Sequence, residues 1–194
     1  MIQLYCATGN AGKLREFRLA ARDVPVAIEL LPGYREIAPC AEDCATFPEN
    51  AVLKAMHYGR CAGGLLFADD SGLVVDALDG APGVHSARFA GPQATDEDNN
   101  RRLVEELRGV AWRTARFVCA MALVKGGRVC GLYRGVVEGV ILHEPRGECG
   151  FGYDPLFYYP PFGRTLGEVS NAEKFAVSHR GQAFRAMLRM LGSV

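Results

Sequence analysis

Charge excess of either sign is missing from this chain: 22 Lys and Arg stand against 22 Asp and Glu, a formal net charge of zero. A nucleic-acid binder ordinarily carries a basic excess or stripe. None stands out, which argues against a nucleic acid polymer as partner. Long hydrophobic runs are missing too. No apolar stretch approaches the roughly 20 residues of a membrane span, so no membrane partner is expected. No basic segment with an apolar core precedes the first strand-like run, so no signal peptide is expected and the setting reads as cytoplasmic. The seven cysteines contain no Cys-x-x-Cys pair, and only Cys40 and Cys44 lie close in sequence. They read as reduced, mostly buried thiols rather than as a metal or redox centre. Repeats, low-complexity tracts and long linkers are also absent.

What is present is 49% hydrophobic content over 194 residues. That is ample for the core of one globular domain over residues 1–194, with room for two lobes. Ile2 to Ala7 reads as a buried first strand, and Leu14, Phe17, Arg18 and Ala21 recur as one face of a helix. Val26 to Leu31 reads as a strand. Thr46 and Glu49 form a capping-box pattern that opens a helix to about Cys61, ahead of Gly63-Gly64. Leu65 to Ala68 and Leu73 to Leu78 read as two short strands separated by Asp69-Asp70-Ser71-Gly72. Thr95 caps a helix carrying Leu103, Val104 and Leu107, and Asp96-Glu97-Asp98 supplies acid at its N-terminus. Arg116 to Val124 and Arg128 to Leu142 read as a long hairpin turning at Lys125-Gly126-Gly127. Leu156 to Tyr159 is expected as a strand and Ser178 to Leu191 as the final helix. The pattern predicts an α/β fold, a mixed β-sheet flanked by helices.

Several segments carry chemistry. Thr8-Gly9-Asn10-Ala11-Gly12-Lys13 lies where the first strand hands over to the first helix. Such a turn can aim backbone N–H groups, a helix N-terminus and one ammonium at a single anion; the plain alternative is a connecting turn with a solvated lysine. It is not the Walker loop, because only two residues separate Gly9 from Gly12 and Leu14 follows Lys13. Asp69 and Asp70 follow a buried strand, where ligands of open α/β sheets gather. Two adjacent carboxylates there suit Mg²⁺ and a water to be deprotonated. Asp-Asp-Ser-Gly is equally an ordinary turn. Glu42 lies in a loop from which a carboxylate can reach a shared metal, whereas Glu49 reads as closing its capping box. Asn50 and Lys54 share a helix face that meets either phosphate or solvent. Phe151 and Tyr153, among the glycines of Gly150 to Pro155, either stack on a nucleobase or plug the core. His179 and Arg180 follow Ser178 at the start of the last helix, where cations are unfavourable unless an anionic or carbonyl-bearing ligand offsets them. His57, His85 and His143 have no metal spacing and read as structural.

Taken in order, these segments resemble the inosine-triphosphate pyrophosphatase family. The matching pieces are Thr8-Gly9-Asn10 with Lys13, Glu49-Asn50-Ala51 with Lys54, Ala68 to Leu73, Gly80-Ala81-Pro82-Gly83 with Ser86-Ala87-Arg88, Gly150 to Pro155, Glu173-Lys174, and Ser178-His179-Arg180-Gly181. The resemblance implies an elongated mixed sheet with two lobes and a cleft between them, a homodimer, a requirement for Mg²⁺, and cleavage of ITP, dITP and XTP to the monophosphate and pyrophosphate. By resemblance, Thr8, Gly9, Asn10, Ala11, Gly12 and Lys13 hold the triphosphate. Asp70 is general base and metal ligand, and Glu42 is the second metal carboxylate. Ser71, Phe151, Gly152, Tyr153, Asp154, Lys174, His179 and Arg180 bind the purine nucleotide. The glycine turn and the aspartates are thus expected to converge on one divalent ion. The rival readings are a Maf-like pyrophosphatase of pyrimidine nucleotides, a phosphotransferase, and a nucleotide-binding module without turnover.

Overall fold

The computed structural model describes residues 1–192; the expected domain boundary at Val194 lies outside them. The strands are β1 (Ile2–Cys6), β2 (Val26–Leu30), β3 (Leu65–Val75), β4 (Thr114–Lys125), β5 (Arg128–Ile141), β6 (Phe157–Tyr159) and β7 (Arg164–Thr165). The helices are α1 (Ala11–Ala20), α2 (Phe47–Gly59), α3 (Asp96–Glu106), α4 (Asn171–Val177) and α5 (His179–Met190). The seven strands form one sheet in the order β2-β1-β3-β4-β5-β6-β7. It is mixed: β1 runs parallel to β2 and β3, while β6 is antiparallel to β5 and β7. The expected α/β class is borne out. The chain divides into two compact units, and the divisions fall inside β3, β4 and β5.

The first unit holds Met1–Asp70, Cys119–Gly135 and the chain from His179 onward. Phe17 of α1, Phe67 of β3 and Phe184 of α5 meet in its core, with ring centroids 5.0 to 5.9 Å apart. The parallel pairing of Cys6 with Phe67 sends the chain after β1 and the end of this part of β3 to the same edge. Thr8 and Asp69 are therefore each two residues beyond a paired position. Gly135 lets the start of α5 approach β5: a Cβ there would stand 2.0 Å from the His179 carbonyl oxygen.

The second unit holds Ser71–Val118 and Val136–Ser178. Leu73, Leu103, Phe117, Val137, Tyr153 and Phe157 belong to its core. The rings of Phe117 and Phe157 lie 4.5 Å apart. Thr95 and Asp98 close the capping box of α3, as the acidic run there suggests.

Three expectations need correction. Asp69-Asp70-Ser71-Gly72 is not a turn but part of one continuous strand, because partners on either side of the pleat take up the two carboxylates. The final helix stands where it is expected, as α5, but Ser178 is not its N-cap: it closes the preceding helix α4 by donating its N–H to the Lys174 carbonyl at 2.8 Å. The cysteines are free but not mostly buried: only Cys6 and Cys119 are, whereas Cys61 beyond α2, Cys130 in the hairpin and Cys149 in a loop are exposed.

Candidate active site

In the first unit the loop after β1 is shaped by its own side chains. Thr8 Oγ1 accepts from the Asn10 N–H at 3.1 Å, and Asn10 Oδ1 accepts from the Lys13 N–H at 3.0 Å. Asn10 is thus the N-cap of α1, and Ala11, Gly12 and Lys13 form the first turn of that helix rather than a loop. Free N–H groups at this end and the absence of acid in the first turn suit an anion. Lys13 then reaches across to β3, with Nζ 2.8 Å from Asp69 Oδ2. The expected meeting of the glycine turn with the aspartates is found.

Adjacent residues of a strand face opposite ways, and the two aspartates have different surroundings. Burial works to raise the Asp69 pKa, but Lys13, Arg180 and Lys54 outweigh it and hold the carboxyl below its ordinary range. For Asp70, burial wins over Lys54 and the Asn50 amide, and the pKa is raised. Asn50 Nδ2 donates to Asp70 Oδ2 at 3.0 Å, while its Oδ1 accepts from the Cys44 N–H at 3.0 Å. Lys54, one turn further along α2, donates to the Asp69 carbonyl at 3.1 Å and pairs with Glu42 Oε2 at 2.6 Å. Asn50 and Lys54 therefore face the aspartates and not solvent. Glu49 bonds Thr46, as its capping role requires.

His179 and Arg180 open α5 and are both buried rather than at the surface. Arg180 Nη1 lies 3.5 Å from Glu16 Oε2, and its Nε lies 3.8 Å from Asp69 Oδ2. Glu16 and Tyr34 escaped sequence reading. Glu16 sits on the helical face of Lys13, three residues on, a spacing that could have exposed it. Tyr34 stands over Gly9, where a Cβ would meet its hydroxyl at 3.7 Å, and its ring lies 4.8 Å from Tyr58. Nothing in the sequence around Tyr34 signals that contact.

The network joins three cations, Lys13, Lys54 and Arg180, to four carboxylates, Glu16, Glu42, Asp69 and Asp70. Its formal charge is one negative. Among the described residues no group of three or more His, Cys, Asp or Glu side chains is arranged to hold a metal ion. Mg²⁺ is commonly held by only one or two carboxylates together with substrate phosphates and waters. Asp70, whose carboxyl burial pushes above its ordinary range, and the part-exposed Glu42, close enough to add to that rise, would supply two such carboxylates. The residues present fit the ion.

The second unit carries a separate cluster. Gly150 and Gly152 have φ of +78° and +64°, and a Cβ on Gly150 would stand 2.1 Å from Asp154 Oδ2. Asp154 accepts from the Phe151 N–H at 2.8 Å and pairs with Lys174 Nζ at 2.5 Å. Lys174 also lies 4.4 Å from the centroid of the half-buried Phe151 ring. Tyr153 belongs to the core, with its hydroxyl donating to the Ser86 carbonyl at 2.8 Å. The two aromatic residues thus divide the roles that were left open: Tyr153 plugs the core and Phe151 stands at its margin. Ser71 is half-buried on β3 at the start of this unit.

Comparison with known proteins agrees with this frame. The model of the Ham1 family matches residues 4–190. A protein of Exiguobacterium sp. named dITP/XTP pyrophosphatase is 48% identical, over 96% of this chain and 95% of its own. One of Geobacter sulfurreducens with the same name is 45% identical, over 99% and 98%. The structure of a HAM1 protein from Coxiella burnetii superposes with a TM-score of 0.89 at 39% identity, over 99% of each chain. The chain belongs to the Ham1 family, in keeping with the resemblance carried by its ordered motifs.

Proposed function

We propose that this chain is a Mg²⁺-dependent nucleoside triphosphate pyrophosphatase that converts dITP, XTP and ITP to the monophosphate and pyrophosphate. The observation that carries the reading is the 2.8 Å contact between Lys13 and Asp69, which ties the anion-binding end of α1 to the strand that bears Asp70. The names of the full-length relatives support the substrate class.

In this reading the N–H groups at the start of α1 and the Lys13 ammonium hold the phosphates. Asp69 keeps Lys13 in place. Asp70, oriented by Asn50, takes a proton from the water that attacks the α-phosphorus. Burial raises its pKa, which makes it a stronger base than an ordinary aspartate. Lys54 holds the Glu42 loop near Asp70. Asp70 and Glu42 would hold Mg²⁺, which would supply neutralisation of phosphate charge and of the departing pyrophosphate.

Phe151 offers its ring to the base, while Gly152, Tyr153, Asp154 and Lys174 fix that ring's position. Base choice follows from hydrogen-bond polarity. Hypoxanthine and xanthine carry a 6-oxo acceptor that a donor of the His179–Arg180 segment can meet. Adenine carries a 6-amino donor and leaves that donor of the segment without a partner on the base. Ser71 is assigned to substrate binding by the family resemblance. A homodimer comes with the family resemblance, and light scattering on the purified protein tests it.

The test is incubation with Mg²⁺ and a panel of triphosphates, with pyrophosphate and monophosphate measured. Release from dITP, XTP and ITP well above ATP is expected. Release mainly from pyrimidine substrates, or none from any triphosphate, overturns the reading.

A further inference from the structure

Both polar groups of the peptide at Gly152 are gripped from outside the base loop. The Gly152 N–H donates to Asp96 Oδ2 at 2.7 Å, and its carbonyl accepts from Asn100 Nδ2 at 2.9 Å. Asp96 and Asn100 are four apart in α3, so they share one face of that helix. Gly152 sits at φ +64° with open space where a Cβ would be. It is a glycine for its backbone conformation, and that conformation presents both groups to α3. The amide of Asn100 is committed to this contact: its Oδ1 is buried without a hydrogen-bond partner among the described residues. A solvated surface asparagine would show no such bias. The core holds the loop from the other end, through Tyr153 to Ser86 and Phe151 N–H to Asp154. Phe151 is next to Gly152 in the chain, and its own N–H is held by Asp154.

We propose that Asp96 and Asn100 are positioning residues for the purine: by clamping Gly152 they fix the Phe151 ring, and so set how tightly and how selectively the base is held, without touching substrate. The proposal rests on the base-site reading given above. The clamp acts on binding and leaves the attacking water and Asp70 alone, so its signature is a split between KM and kcat. A lost hydrogen bond of this kind weakens a fit by roughly three- to tenfold.

The experiment is steady-state kinetics with dITP and ATP on wild type, Asp96→Ala, Asn100→Ala, the double alanine variant and Asp96→Asn. Hydrogen exchange of residues 150–154 is followed in parallel. The double variant is expected to raise KM for dITP about tenfold, keep kcat within about twofold, and narrow the dITP-to-ATP ratio. Asp96→Asn retains an acceptor for the Gly152 N–H and restores KM. Faster exchange in the loop confirms that the clamp was opened in a folded protein. If the loop exchanges faster and KM does not move, or if kcat falls while KM stays, the proposal is overturned and the proposed function stands. If Asp96→Asn fails to rescue, the acceptor role is refuted. If wild type hydrolyses no purine triphosphate, the base-site reading falls first and the clamp falls with it.

Discussion

Two lysine–carboxylate pairs, one in each unit, show how differently the same chemistry is used. Lys54 meets Glu42 at 2.6 Å with 11% and 34% of the side chains exposed, while Lys174 meets Asp154 at 2.5 Å with 1% and 3% exposed. The first pair shares its cation with the Asp69 carbonyl and lies close to Asp70, in a network with one carboxylate in excess. Lys54 is buried but its partner Glu42 is about a third exposed, so this pair exchanges partners at a smaller penalty than a sealed one. The second pair is sealed, and it fastens the Phe151 N–H and the last turn of α4 in one place. A group that must exchange partners during a reaction belongs in surroundings of the first kind. A group that must hold a ring still belongs in the second.

Substitutions can break this contrast. The largest effect is expected at Asp70, where Asp70→Asn should lower kcat for dITP by on the order of 10²–10⁴-fold in a protein that still melts cooperatively. Pyrophosphate release near the wild-type rate would remove Asp70 as base. Next comes the sealed pair. Asp154→Ala leaves Lys174 buried without its carboxylate and should destabilise by about 3–5 kcal/mol in denaturant titration, whereas Glu42→Ala should change stability by no more than about 1 kcal/mol. Equal losses would erase the distinction. Gly135→Ala forces a Cβ against the His179 carbonyl and should destabilise by about 1–3 kcal/mol. An unchanged melting curve would show that α5 does not need that approach. Arg180→Ala should narrow the preference for ITP over ATP, and an unchanged ratio would take Arg180 out of base reading.

The smallest effect sharpens the contrast between neighbours. The lowered pKa of Asp69 adds stability above the ordinary carboxylate range, and that contribution is lost as pH falls through the lowered value. The raised pKa of Asp70 has the opposite sign: it favours the fold in acid, and that contribution is lost as pH rises through the raised value. At neutral pH without metal, Asp69→Asn should lower Tm and Asp70→Asn should raise it. Both differences should shrink in acid, and about 2–4 °C per kcal/mol sets their scale for a chain of this size. Shifts of the same sign would contradict the assigned environments.

Much of this was legible in the chain. The alternating apolar runs gave the sheet its strands, and Thr46-x-x-Glu49 and Thr95-x-x-Asp98 marked helix starts through local bonds that need no tertiary context. Ser170-x-x-Glu173 carries the same signature and forms the same box, so α4 could have been read. The break expected between two strands at Asp69 to Gly72 failed because local propensity favours a turn there. Lys13 and Asn50, distant in sequence, satisfy the carboxylates in a strand instead. Tyr34 over Gly9 and the grip of Asp96 and Asn100 on Gly152 are contacts between remote residues with no local pattern, and only the fold exposes them.

The claim that all of these arrangements serve is attack by water on the α-phosphorus, with Asp70 taking the proton. Hydrolysis of dITP in ¹⁸O-labelled water, with the products separated by mass, tests it most directly. The expected result is one labelled oxygen in the nucleoside monophosphate and unlabelled pyrophosphate. Label in pyrophosphate, or release of orthophosphate from the γ-position, would contradict the account.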